Sequence, residues 1–176
     1  DLVSKILAKG DAAELADLRV FWEENGRAVS EEEIGVFSYY QKLRQQVHKD
    51  RRAALARRKA EIPEKTDAEQ ALGCYLEEIE PQVRQAVLNL NRKGFKTQGS
   101  GFASENTQKI YCRDNQFQKL NFPESFLDEL KQRGVVLKID PRSITISLDR
   151  KLSLDEIEAI WLEIEKWVKS KGKSLT

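Results

Sequence analysis

The sequence predicts an α+β fold, in which an N-terminal helical hairpin precedes a small four-stranded antiparallel sheet with packed helices. Three observations support this class. Residues 1–62 contain helical patterns and no proline. After Gly94 the hydrophobic period changes from roughly 3.6 residues to 2, as expected where strands replace helices. Beyond Ser153 the chain returns to a wide amphipathic helical stripe, which needs a large apolar surface to pack on.

The helical hairpin is predicted from two segments. In the first, Leu15, Leu18 and Trp22 share one face. The second begins at Ser30, where Glu33 completes a capping box, and is expected to run for about thirty residues. Its apolar residues follow a heptad, which predicts a coiled-coil seam packed on the first helix. This heptad seam consists of Val36, Tyr40, Leu43, Val47 and Ala54.

Pro63 ends the long helix, and residues 63–80 are predicted to be a linker with one short helix. Thr66 and Glu69 form a capping box for that helix. Residues 81–172 are then predicted to fold as an α+β domain in the order α-β-β-α-β-β-α. Its first helix has Pro81 at the start and Gly94 as the C-terminal cap.

Four short segments are expected to be the strands. "FKTQ" and "QKIYCR" form one pair, joined by a loop of about ten residues around Gly99–Gly101. "VVLKID" and "SITISLD" form a hairpin, because "DPRS" is a type I turn signature. The order αββαββ corresponds to a circularly permuted ferredoxin-like unit. If the final helix covers one sheet face, the other face should need the two remaining helices.

Composition excludes several classes of function. The 176 residues include 30 bases, 29 acids, two cysteines and one histidine. Cys74 and Cys112 lack metal-ligand spacing, and a lone His48 offers little material for a triad or a metal site. We therefore expect no metal and no cofactor, and we favour a binding protein over an enzyme. Two cysteines are too few for a disulfide scaffold, so a reduced cytoplasmic protein is the expectation. No apolar run is long enough to span a membrane.

The first functional hypothesis is a non-enzymatic binding or scaffolding role. The helical hairpin is the extended feature of the predicted fold, and Asp50 interrupts its heptad seam. Such hairpins are suited to self-association or to docking of a protein partner. A homo-oligomer or a protein complex is therefore expected.

Nucleic-acid binding through residues 42–59 is the alternative. Residues 41–60 carry eight bases and one acid, whereas residues 61–80 carry seven acids and one base. A basic helix can lie along phosphates, but the acidic block could instead fold back and neutralise it. The candidate residues are Lys42, Arg44, Lys49, Arg51, Arg52, Arg57, Arg58 and Lys59.

A second alternative places a small ligand or phosphate on the glycine-rich segment "GFKTQGSGFA". Successive backbone N–H groups in a Gly-Ser-Gly turn can bind an anion. Neither the P-loop nor the Rossmann spacing is present, so a plain hairpin loop competes with this hypothesis. The candidate anion-binding residues are Lys96, Thr97, Gly99, Ser100 and Gly101.

Overall fold

The computed structural model describes residues 30–171, and within them it confirms the α+β class. The helices are α1 (Glu31–Glu61), α2 (Asp67–Leu72), α3 (Pro81–Arg92), α4 (Glu124–Gln132) and α5 (Leu154–Trp167). A single 3-10 turn, Leu76–Glu78, precedes α3. The strands are β1 (Thr97–Phe102), β2 (Thr107–Cys112), β3 (Val135–Asp140) and β4 (Ser143–Leu148).

Local sequence signals place the helix ends where they were predicted. Ser30 accepts a hydrogen bond from the Glu33 N–H at the start of α1. Complete capping boxes begin α2 at Thr66 and α5 at Ser153. Gly94 follows α3 with φ of 96°, a left-handed conformation that glycine adopts without steric cost.

The four strands form one antiparallel sheet in the order β1-β2-β4-β3. The two hairpins therefore meet through β2 and β4, and β1 and β3 are the edges. Ile110 pairs with Ile144, and Ile144 with Ile139, so apolar side chains form a continuous row across the sheet. The ferredoxin-like assignment is not established by this strand order and stays a prediction.

Helices α3, α4 and α5 pack on one face of the sheet. Side chains of α3 and α5 meet β2 and β4 around Leu90, Ile110 and Trp161, which are almost fully buried. The ring of Phe126 in α4 lies 5.5 Å from that of Trp167 at the end of α5. The expectation that two helices cover the opposite face is therefore wrong, since the apolar residues of the strands alternate toward one side.

The strand β1 also differs from its prediction. It begins at Thr97 and continues to Phe102, so Gly99–Gly101 lies inside the strand. Residues 103–106 alone connect β1 to β2, and Glu105 there has a positive φ of 51°. The expected ten-residue loop is wrong because glycine-rich sequence predicted a turn, whereas pairing with β2 holds this glycine segment extended.

Helix α1 is as long as predicted, at 31 residues. Val36, Tyr40 and Val47 of its heptad seam are buried in the same apolar cluster as the sheet and α5. The predicted first helix of the hairpin lies outside the described residues. These seam residues of α1 thus pack on the core that includes the sheet and α5.

Candidate functional sites

The basic segment of α1 has two sides with different surroundings. Arg44, Arg51 and Arg58 recur every seven residues, which returns them to nearly the same side of a helix. Arg44 donates to the carbonyl of Ala103 at 2.6 Å, and Arg51 donates to the carbonyl of Glu78 at 2.8 Å. These inward arginines therefore hold α1 to segments far away in sequence.

Arg58 makes the strongest of these contacts. Its guanidinium forms ion pairs with Glu69 and Glu77, and the Glu69 side chain is fully buried. Hydrogen bonds from Arg58, opposed by burial, lower the pKa of Glu69 to about 2. Glu69 also accepts the backbone N–H groups of Thr66 and Leu76, so its oxygens are well supplied with donors. Part of the acidic block does fold back on the basic helix.

The remaining cations of the segment face solvent. They are Lys42, Lys49, Arg52, Arg57 and Lys59. At a rise of about 1.5 Å per residue these outward cations extend over roughly 26 Å of helix. Asp50 is the acid among them, and it accepts a hydrogen bond from Gln46.

The glycine-rich segment holds an anion that belongs to the chain itself. The carboxylate of Glu80, which is 3% exposed, accepts a hydrogen bond from the Phe102 N–H at the free edge of β1. A Cβ at Gly101 would lie 1.9 Å from Oε2 of Glu80, and φ of Gly101 is 110°. Glycine is therefore required at position 101 because Glu80 occupies the place of a side chain.

Gly99 has a different neighbour. Its missing side chain leaves room for the ring of Tyr111, whose Cε1 would lie 2.3 Å from an added Cβ. The amino group of Lys109 lies 5.7 Å from the centre of the same ring. The two glycines thus make room for different neighbours, the ring of Tyr111 at Gly99 and the carboxylate of Glu80 at Gly101.

Lys96 and Thr97 do not join Gly101 in one site. The backbone of Lys96 makes two hydrogen bonds with the side-chain amide of Gln116, and Thr97 Oγ1 accepts one from Asn91. They lie at the start of β1 and Gly101 near its end, a separation of about 13 Å at 3.3 Å per residue. The five candidate anion-binding residues are spread along a strand.

Two other side chains that could carry chemistry, those of Cys112 and His48, lie in surroundings that shift their pKa values. Burial raises the pKa of the Cys112 thiol to about 11, so it stays protonated at neutral pH. Burial lowers the pKa of His48, and neighbouring arginines lower it further, whereas the carboxylate of Glu80 raises it. In residues 30–171 no group of three or more His, Cys, Asp or Glu side chains is arranged to hold a metal ion. Nor does any helix in that range have the length and apolarity to cross a bilayer.

A groove that the sequence patterns did not indicate lies between the loop after β2 and the end of α5. It encloses about 670 Å³ and includes the half-exposed ring of Trp167. Its remaining lining is Phe95, Asn115, Gln116, Gln118, Lys119, Leu120, Asn121, Lys169, Ser170 and Lys171. Trp167 lies near the end of the amphipathic helix that the sequence predicts beyond Ser153, and its side chain is 49% exposed.

Comparison with protein-family models, with curated proteins and with solved structures finds no significant match for this chain. Function must therefore be inferred from the sites themselves.

Proposed function

We propose that the protein is a non-enzymatic nucleic-acid-binding protein, which contacts phosphates through the outward cations of α1. The observation that carries the proposal is the division of the basic segment. Three arginines are held by acceptors within the chain, and five cations remain exposed along one helix. Exposed cations distributed along a helix suit a regularly spaced polyanion.

This observation favours nucleic acid over self-association through the heptad seam. Val36, Tyr40 and Val47 are between 0% and 6% exposed, so these seam residues offer no apolar surface to another chain. Apart from Ala53 and Ala56, the exposed residues of α1 between Lys42 and Lys59 are polar or charged, and most of the charged ones are basic. A protein partner with an acidic surface is the competing occupant, and the binding experiment separates it.

The test is fluorescence anisotropy with labelled generic DNA and RNA at increasing salt. If five cations contact duplex phosphates, log K should fall with a slope of about −4.5, which is roughly a 500-fold loss between 50 and 200 mM salt. The decisive variant changes Lys49, Arg52 and Arg57 to Gln. We expect its slope to be smaller by about 2.7, with an unchanged melting temperature.

A matched control changes three exposed cations on other elements, Arg113, Lys131 and Lys138, to Gln. It removes the same net charge and should keep the wild-type slope within about one unit. Equal losses in the two variants would mean that total charge alone attracts the nucleic acid. Absence of binding at low salt, or a concentration-dependent mass in sedimentation without nucleic acid, would contradict the proposal and return self-association to first place.

A further inference from the structure

The groove between the loop after β2 and α5 has the size and form of a small-molecule site. Its volume of about 670 Å³ lies inside the range of roughly 300–1,000 Å³ that ligand pockets occupy. One wall is the segment Asn115–Asn121, and the other is the end of α5 with the residues that follow it. Two hydrogen bonds fix the second wall, because the Lys171 N–H donates to the carbonyl of Lys93 and Lys171 Nζ donates to Gln116.

An aromatic platform is held in place inside this groove. Trp167 contacts the ring of Phe126 at 5.5 Å, and Phe126 in turn lies 5.9 Å from the ring of Phe122. The inner face of Trp167 is thus supported by α4 while about half of the side chain stays open. A half-exposed, rigidly supported indole is a surface on which a planar ring can stack at small cost in conformational entropy.

The polar part of the lining favours an anion. Lys119, Lys169 and Lys171 contribute to the groove, and no Asp or Glu is among its described lining residues. In a chain with nearly equal numbers of acids and bases, a lining with lysines and no carboxylates creates a local positive field. The same groove contains four side-chain amides, a group that can both donate and accept hydrogen bonds, although the amide of Gln116 is already bonded to Lys96 and Lys171. They belong to Asn115, Gln116, Gln118 and Asn121.

We propose that this groove binds a nucleoside phosphate, with its base on Trp167 and its phosphate near the lysines. A stacking ring, amides for the edge of a base, and cations for a phosphate are the three groups such a ligand requires. The ligand is either a free nucleotide or one unit of a single strand. The inference does not rest on the role proposed for α1. The groove adjoins Phe95, which precedes β1, whereas Arg44 of α1 contacts Ala103, which follows β1. The two sites are therefore at different ends of that strand.

The test is titration of the isotopically labelled full chain with AMP, UMP, adenosine, orthophosphate and the dinucleotide ApA, followed by NMR. We expect the indole N–H resonance of Trp167 to shift with the nucleotides at a Kd of about 1 mM or tighter. Adenosine and orthophosphate should each bind at least about fivefold more weakly than AMP. Tighter binding of ApA than of AMP would identify a nucleic-acid strand as the source, and the reverse a free nucleotide.

Two groove variants and one control complete the experiment. Trp167→Leu should weaken AMP at least about fivefold, because stacking contributes roughly 1–3 kcal/mol per base. The double variant K119Q/K169Q removes exposed charges and should weaken AMP but leave adenosine unchanged. Changing Lys49, Arg52 and Arg57 of α1 to Gln should leave AMP binding intact. No shift at about 5 mM nucleotide, an equal affinity for orthophosphate, or wild-type affinity in both groove variants would overturn the inference.

Discussion

Both sides of α1 carry positive charges, but the charges on one side bind acceptors within the chain and those on the other face solvent. The inward arginines Arg44, Arg51 and Arg58 meet acceptors that lie 59, 27 and 11 residues away along the chain. The outward cations, from Lys42 to Lys59, face water on the same helix. The comparison teaches that a run of basic residues is not one functional unit, because the helical period divides it between packing and exposure.

This division changes how the basic segment should be tested by mutation. A variant that neutralises Arg51, Arg52, Arg57 and Arg58 together would remove two structural contacts along with two exposed charges. Loss of binding in that variant would not distinguish unfolding from lost phosphate contacts. Variants confined to one side of the helix make the two effects separable.

The largest effect on stability is expected from Arg58→Gln. The substitution leaves the carboxylate of Glu69, which has no solvent-accessible surface, without its counter-charge, and an uncompensated charge in such a position is unfavourable. We expect a clear fall in the urea midpoint with little change in slope. Arg57→Gln is the matched control, since it removes an adjacent but exposed charge. Equal midpoints for the two variants would contradict the structural role of the inward side.

The second-largest effect on stability is expected from Tyr40→Phe, on the inward side of α1. The Tyr40 hydroxyl donates to the carbonyl of Arg150 and accepts the Leu152 N–H at 2.9 Å. Its loss leaves these two backbone groups without their hydroxyl partner, at a cost of about 1–3 kcal/mol in the free energy of unfolding. Tyr39→Phe removes one hydrogen bond from a less buried side chain and should cost less. Urea unfolding of both variants measures the difference.

Acid should weaken the inward contact between Arg58 and Glu69. The pKa of Glu69 is about 2 in the folded chain against an ordinary value of 4.5, so its contribution is complete above pH 4.5. That contribution is lost as pH falls from 4.5 toward 2, because the unfolded chain then binds the proton more readily. We expect Glu69→Gln to flatten the dependence of stability on pH in this window. Glu129→Gln, which changes an exposed carboxylate on α4, should keep the wild-type dependence.

The smallest effect on stability is expected from the outward side. Changing Lys49, Arg52 and Arg57 to Gln removes exposed charges, and such surface substitutions usually alter the free energy of unfolding by about 0.5 kcal/mol or less each. Thermal unfolding of this variant should therefore resemble that of the wild type. A large loss of stability would mean that the outward cations also hold the fold together, and the contrast between the two sides would disappear.

The glycine segment shows where prediction from sequence reached its limit. Three glycines within eight residues indicated a connecting loop, with an anion-binding site as the alternative. The structure places Gly99–Gly101 in β1, and the carboxylate beside Gly101 is Glu80, 21 positions earlier in the chain. Nothing within the segment indicates that Glu80 would lie there. The requirement for glycine was visible in the sequence, but its cause was a contact between distant residues.

The sequence by itself determined the elements whose signals are local. Capping residues at Ser30, Thr66 and Ser153 fixed helix starts, and the alternation around Pro141 fixed the second hairpin, because these effects act within a few residues. The tertiary structure alone decided which arginines of α1 turn inward and that Trp167 stays half exposed in a groove. Those outcomes depend on which segments meet in space, and the free energy of such contacts is absent from any local pattern.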